Sequence, residues 1–345
     1  MTKGTKIFRI IVSVILVLTA AWTVILTTEV YDLYKANKDD SFYGIVLAGV
    51  KVTSKNQDDI LGDGTASYNE INQVLMLENA EITYDKEAAD DGVDAIIYSL
   101  IDLTVLLTGE NKFIVNAGDY VPAVYAANYL LAKDVVFTGG GSLSIEYQSS
   151  PANAMGIYGE DVTVEADVTL TMLGGETISN GVYVEGVLTV RNGATLTVNN
   201  GAAKYSCAVK SRGNCYIEKN CALNINVAGG TTDDCKGLNV GGSLVILENS
   251  SVSVSVDEAA SIKKECVNVC GLISLGTNAS LTASSKSVYS IECFGAMELC
   301  KGATVSASTE GEGADAICYG AIANYGATIN GEFDALSGVF NKSND

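Results

Sequence analysis

The chain has 345 residues, of which 41 are acidic, 21 are basic and none is histidine, so its formal net charge is −20. Without histidine, catalytic sites of the Ser-His-Asp and Cys-His kinds are excluded. The negative charge argues against nucleic acid and anionic lipid as ligands, and it favours a soluble acidic surface or one that binds cations.

The N-terminal segment predicts a membrane anchor. Three basic residues within the first ten precede Ile10–Thr28, which carries no charge. As a helix this run would span about 28 Å, close to the thickness of the hydrocarbon core. We therefore expect residues 1–28 to form a single-pass helix in the cell membrane, with the rest of the chain extracellular. A signal peptide cleaved near Ala21 is the alternative.

Residues 29–42 are predicted to be a polar spacer, and residues 43–94 an N-terminal cap with the first coils of a repeat domain. Two short loops in this cap place several aspartates around a glycine, as hard cations such as Ca²⁺ require. Ordinary solvated loops are the alternative interpretation. The candidate Ca²⁺ ligands are Asp58, Asp59, Asp63, Asp90, Asp91 and Asp94.

A degenerate unit of 24 to 29 residues recurs over residues 95–338, and a short tail, 339–345, follows it. Such a period is typical of a solenoid. Apolar and polar residues alternate within each copy, which indicates short strands and leaves no room for a helix. The sequence therefore predicts an all-β fold, a right-handed parallel β-helix of about ten coils with three short strands per coil. The glycine that marks each copy is Gly186, Gly213, Gly242, Gly271, Gly295 and Gly320.

Each copy also has a turn rich in Asn and Gly, such as Asn192-Gly193, and a small residue directly after it. We expect the small residue to point inward, where only a small side chain fits, and to stack from coil to coil. The members of this column are Ala194, Cys221, Ser250, Ala279, Ala303 and Ala327.

Nine cysteines lie between Cys207 and Cys318. Most replace small or apolar residues of other copies, as Cys215 replaces Leu188, so buried thiols are favoured over a disulfide framework. Stacking of Cys293 on Cys318, with one bridge between them, is the alternative.

Three segments resemble the exported carbohydrate-binding β-helix proteins of Gram-positive anaerobes. They are DLTVLLTGENKFI (Asp102–Ile114), VVFTGGGSLSI (Val135–Ile145) and GIYGEDVTVEADVTLTM (Gly156–Met172). The resemblance implies noncatalytic binding of plant cell-wall polysaccharide, pectin-like or cellulosic, with acidic pectin-like chains in particular and with bound Ca²⁺.

A candidate polysaccharide-binding column can be read from the residues alone. Because the preceding residue in each copy is Ile, Val or Leu, the third residue of the strand before the glycine should face outward. Sugar rings stack on aromatic faces, so this column predicts a binding strip; a ladder that only stabilises the sheet is the alternative. The column runs through Tyr98, Tyr125, Tyr158, Tyr183, Lys210 and Asn239.

These patterns predict a cell-surface protein that binds polysaccharide and is not an enzyme. The first alternative is a structural rod that self-associates laterally or end to end and has no specific glycan. A polysaccharide lyase is the second, and it would need a basic residue, yet beyond Arg9 the arginines are limited to Arg191 and Arg212.

Overall fold

The computed structural model describes residues 41–85, 95–116, 121–128, 131–150, 153–174, 177–201, 203–228, 234–257, 264–285, 289–309, 317–331 and 333–335. Residues 1–28, nearly all of the spacer and the tail lie outside these ranges, so the anchor and the membrane location stay predictions. All regular elements within the ranges are β-strands, and none of the described residues forms a helix suited to crossing a membrane.

The described chain begins with antiparallel pairs of strands. Phe42–Leu47 pairs with Val50–Thr53, and Ala66–Asn69 pairs with Val74–Glu78. Phe42–Leu47 also lies antiparallel to Ile97–Ser99, the first strand of the first regular coil. These strands close the N-terminal end of the stack, because they cover the edge of the first coil with hydrogen-bonded backbone.

From Val74 onward most strands stack in parallel on three faces, and each regular coil gives one strand to each face. The strands of the first two faces belong, with the cap strands, to one 22-stranded sheet, and the third face is a separate 10-stranded sheet. We call the three faces the first, second and third sheets, in chain order within a coil. The first sheet contains Ile97–Ser99, Val124–Asn128, Asn153–Gly159, Ile178–Val184, Tyr205–Ser211, Asp234–Val240, Lys264–Val269, Tyr289–Leu299, Ile317–Asn324 and Phe333–Ala335.

The second sheet begins at Val74–Glu78 and ends in the last residues of two long first-sheet strands, Tyr289–Leu299 and Ile317–Asn324. Leu131–Ala132 is a short strand that pairs antiparallel with Val124–Asn128. The remaining second-sheet strands are Leu103–Thr108, Val135–Gly139, Val162–Val164, Leu188–Val190, Cys215–Ile217, Leu244–Ile246 and Ile273–Leu275.

The third sheet contains Glu81–Tyr84, Glu110–Val115, Ser142–Tyr147, Asp167–Met172, Thr195–Asn200, Ala222–Val227, Ser251–Val256, Ser280–Ser285, Thr304–Thr309 and Thr328–Asn330.

This architecture confirms an all-β parallel solenoid with three short strands per coil. It has about eight parallel coils, fewer than the predicted number of about ten. Strands at the two ends of the stack, such as Glu81–Tyr84 and Phe333–Ala335, do not belong to complete coils. Part of the N-terminal region alternates like the repeats but folds into the antiparallel pairs of the cap. The right-handed winding stays a prediction.

Inward side chains form a continuous apolar core between the sheets. The predicted column of small residues is buried from Ala194 through Ala303, and Ala327 is partly buried. The turn before each member needs a left-handed backbone, with φ of 62° at Asn192 and 57° at Asn278. Asn and Gly adopt this conformation at least cost.

No disulfide joins any of the cysteines whose side chains the structure describes. Cys215 pairs in register with Leu188 and Leu244, as expected for a thiol that replaces an apolar core residue. The alternative, stacking of Cys293 on Cys318, is contradicted by the register. An extra residue between Cys293 and Ala296 forms a β-bulge, and the register before it sets Glu292 opposite Cys318 and Cys293 opposite Tyr319. The buried thiols are Cys215, Cys221, Cys235, Cys266 and Cys293.

Candidate functional site

The predicted tyrosine column exists on the outer face of the first sheet. Adjacent rings are separated by 6.0 Å between Tyr98 and Tyr125, 4.9 Å between Tyr125 and Tyr158, and 5.6 Å between Tyr158 and Tyr183, measured between centroids. The residue before each tyrosine is buried in the core, which directs the tyrosine outward. We call these four residues the tyrosine ladder.

The rings of the tyrosine ladder pack on one another. Their planes differ by 14° to 28°, so neighbouring faces are nearly parallel along the axis of the stack. Offset stacking of this kind stabilises the sheet. It also covers ring faces that a sugar would need, and a ligand lying along the ladder would meet ring edges and hydroxyl groups.

The ladder ends in a network of charged side chains. Lys210 Nζ lies 4.7 Å from the centroid of the Tyr183 ring, and the guanidinium carbon of Arg212 lies 5.6 Å from it. Glu185 accepts a hydrogen bond from the Tyr158 hydroxyl at 3.3 Å and forms an ion pair with Arg212 at 2.7 Å. Burial raises the pKa of Tyr158 above its ordinary value, and the negative charge of Glu185 raises it further. The hydroxyl therefore stays protonated and acts as a hydrogen-bond donor.

Beyond Lys210 the column becomes polar, as the sequence predicts. Asn239 pairs in register with Lys210, and Asn268 follows it. Asn268 is buried, and its amide donates a hydrogen bond of 2.8 Å to Glu292.

Lys210 and Asn239 line a shallow depression of about 220 Å³ on the outer face of the first sheet. Tyr205 and Ile178 at its rim are 45% and 39% exposed, so the depression offers an aromatic and an aliphatic surface to a ligand. We call the depression the lysine depression, because Lys210 and Lys236 are both among its lining residues in a chain of net charge −20. Its main lining residues are Ile178, Asn180, Tyr205, Lys210, Lys236 and Asn239.

The sequence reasoning missed Asn180, Tyr205 and Lys236 because it followed only one outward column. The missing signal was the register of the neighbouring columns. Asn180 pairs with Cys207, which pairs with Lys236, while Ile178 pairs with Tyr205. Reading every outward position of these strands would have found them.

The structure does not gather the aspartates of the first acidic loop into one ligand set. Asp59 Oδ1 accepts hydrogen bonds from the backbone amides of Gly62 at 2.9 Å and Gly64 at 3.0 Å. The hydroxyl and backbone amide of Thr65 both donate to Asp63 Oδ1 and lower the pKa of that carboxyl. Asp58 lies in the same loop. These bonds close the loop.

Within the described ranges no three acidic or cysteine side chains come together as a metal site. Asp90, Asp91 and Asp94 lie outside the described residues. Ca²⁺ binding therefore stays a prediction.

Both of the arginines available to a lyase beyond Arg9 are paired with glutamates. Arg191 donates to Glu165 through Nε at 2.6 Å, and Arg212 pairs with Glu185 as described above. The Thr138 hydroxyl, together with Arg191, lowers the pKa of Glu165. These pairs tie neighbouring coils to each other, and the lyase alternative gains no support from them.

Comparison of the chain with protein-family models, curated proteins and solved structures gives no significant match.

Proposed function

We propose that the protein binds polysaccharide without catalysis, and that the lysine depression is where it binds an acidic chain. The observation that carries the proposal is the position of Lys210 and Lys236 in one depression with the amides of Asn180 and Asn239. Ammonium groups pair with carboxylates, and amides hydrogen-bond sugar hydroxyls.

The charge distribution supports this assignment. A polyanion is repelled by a chain with 41 acidic and 21 basic residues, so it can approach closely only where cations are concentrated. Lys204 Nζ lies 5.5 Å from the centroid of the Tyr205 ring, which adds a third lysine beside the depression. A uronate chain held there would extend over the hydroxyl edges of the tyrosine ladder.

Direct pairing with lysine needs no bridging metal, so this site differs from the Ca²⁺-assisted binding that the family resemblance implies. We also propose that residues 1–28 anchor the protein at the cell surface. This part of the proposal rests on the sequence of residues 1–28 alone.

The test is affinity electrophoresis in gels that contain polygalacturonate, with and without a chelator. Lys210→Ala combined with Lys236→Ala should abolish the retardation of the wild-type protein. The matched control, Lys219→Ala with Lys301→Ala, removes the same charge at exposed positions outside the depression and should be retarded like the wild type. Equal retardation of both double variants would exclude the lysine depression.

A structural rod is the second candidate function, and the covered ring faces of the tyrosine ladder favour it. A ladder that serves only stability would be built this way. In that case the protein would show no retardation by any polysaccharide and would instead self-associate laterally or end to end, which sedimentation velocity measures.

A further inference from the structure

A thiol lines the lysine depression together with the two lysines. Cys207 lies in the strand Tyr205–Ser211 and is one of the lining residues, along with Lys210 and Lys236. Its side chain is partly exposed, whereas most of the cysteines whose side chains the structure describes are buried. The depression therefore contains a nucleophile that the binding of a polysaccharide does not use.

Packing of the core gives no reason for a thiol at this position. Cys215 pairs in register with Leu188 and is buried, as a substitute for an apolar residue should be. Cys207 instead pairs in register with Asn180 on one side and Lys236 on the other, and both neighbours are partly exposed polar residues. The thiol thus interrupts a polar outward column.

The position of the sulfur brings it within reach of both ammonium groups. Cys207 Sγ donates a hydrogen bond of 3.4 Å to the backbone carbonyl of Val209, the residue before Lys210. Neighbouring strands are about 4.8 Å apart, so the side chain of Lys236 begins one strand spacing from that of Cys207. Because lysine has a long and flexible stem, either ammonium group can pair with a negative group attached to the sulfur.

These surroundings favour anionic reagents. Ammonium groups raise the local concentration of anions and pair with carboxylates. Reactive cysteines are typically found in partly exposed, electropositive places of this kind. Cys270 and Cys300 are also exposed, but neither lines the lysine depression. An anionic reagent should therefore prefer Cys207 to these two thiols.

We propose that Cys207 is a modification site for small disulfides that carry carboxylates. The thiol gives its proton to water, and the thiolate attacks one sulfur of the disulfide. A new S–S bond forms as the old one breaks, and the other half leaves as a thiolate, so the disulfide itself is the oxidant. The half that stays on Cys207 places its carboxylate beside Lys210 and Lys236.

Modification would also regulate the lysine depression. The attached group fills part of a depression of about 220 Å³ and pairs with the lysines that an acidic polysaccharide needs. A reducing thiol reverses the exchange and opens the site again. This regulatory step rests on the proposed function, whereas the modification itself does not.

The probes are dithiobis(nitrobenzoate), a disulfide that carries carboxylates, and dithiodipyridine, which is uncharged. Absorbance measures the rate at which each reacts with the reduced full-length protein, and peptide mapping by mass spectrometry assigns the modified cysteines. Cys207 should favour the anionic disulfide over the neutral one more strongly than Cys270 and Cys300 do. Added salt should reduce this preference.

Lys210→Ala combined with Lys236→Ala should slow the reaction of Cys207 with the anionic disulfide about five-fold, the effect of two exposed ion pairs. The rate with the neutral disulfide should not change. Lys219→Ala with Lys301→Ala is the matched control and should react like the wild type. The inference is overturned if Cys207 of the wild type shows no preference, if both disulfides are slowed equally, or if the two double variants behave alike.

Gel retardation separates this inference from the proposed function. Protein modified by the anionic disulfide should lose its retardation by polygalacturonate and regain it after reduction, while Cys207→Ser treated in the same way should stay retarded. Retardation that survives modification of Cys207 would overturn the regulatory step. Selective reaction of Cys207 in a protein that polygalacturonate does not retard would remove the proposed function and leave the modification site in place.

Discussion

Lys210 takes the place in its coil that Tyr183 holds in the coil before, and its ammonium nitrogen lies 4.7 Å from the centre of the Tyr183 ring. The column of stacked tyrosine rings thus ends in a cation–π contact between Tyr183 and Lys210. This contact positions Lys210 at the lysine depression, and it joins the tyrosine ladder to the proposed binding site.

Removing the ring beneath Lys210 should weaken the binding of acidic polysaccharide. We expect Tyr183→Ala to lower the affinity for polygalacturonate about two- to five-fold, the value of an exposed cation–π contact. Tyr183→Phe keeps the aromatic face and should bind like the wild type. Tyr98→Ala, at the far end of the ladder, serves as the control. If Tyr98→Ala and Tyr183→Ala reduce affinity equally, the ladder acts only through stability.

Stability should depend on the rings of the ladder more than on their hydroxyls. Tyr158 stacks on both neighbours, so Tyr158→Ala should cost about 1–3 kcal/mol of unfolding free energy from the two lost ring contacts. Tyr158→Phe loses only the bond to Glu185, which is long at 3.3 Å, and should cost about 0.5–1.5 kcal/mol. Urea titrations followed by circular dichroism measure both. Equal losses in the two variants would contradict the stacking role.

The left-handed turns predict a contrast between glycine and alanine. Asn249 has a φ of 57°, and the last coils place Gly302 and Gly326 at the equivalent turn position. Asn249→Ala should therefore lower the unfolding free energy by about 1 kcal/mol, because alanine is strained in this conformation. Asn249→Gly should be close to neutral in the same urea titration, and a larger loss for glycine than for alanine would refute the explanation.

Burial of the Cys215 thiol predicts a loss of stability at alkaline pH. Desolvation raises the pKa of Cys215 from 9.0 to about 12. The folded state therefore holds the proton more tightly than the unfolded state does. The contribution of the protonated thiol to the unfolding free energy is complete below pH 9 and is lost as the pH rises toward about 12.

Cys215→Val removes the titrating group and keeps an apolar side chain of similar size. The urea midpoint of the wild type should fall more steeply between pH 9 and pH 11 than that of the variant. Parallel curves for the two proteins would show that ionisation of Cys215 does not contribute.

The repeat made the solenoid predictable, since the spaced glycines and the alternation around Val182 and Leu188 are properties of every copy. The cap was less predictable, because strands such as Ala66–Asn69 alternate in the same way but pair antiparallel. The bulge after Cys293 could not be predicted, because one extra residue leaves the spacing of glycines within its ordinary range.

The site was predictable only in part. Tyr183 and Lys210 were found from their shared position in the repeat, whereas the orientation of the rings depends on side-chain packing. Lys236 lies in another outward column, and the register between its strand and that of Lys210 is needed to place the two lysines side by side.

The most direct test of the central claim is calorimetric titration of the protein with polygalacturonate, and with its fully methyl-esterified form, in the presence of a chelator. If Lys210 and Lys236 bind uronate carboxylates, the unesterified chain binds without calcium, the ester does not bind, and added salt weakens the affinity. Equal binding of both chains, or binding that disappears with the chelator, would contradict the account.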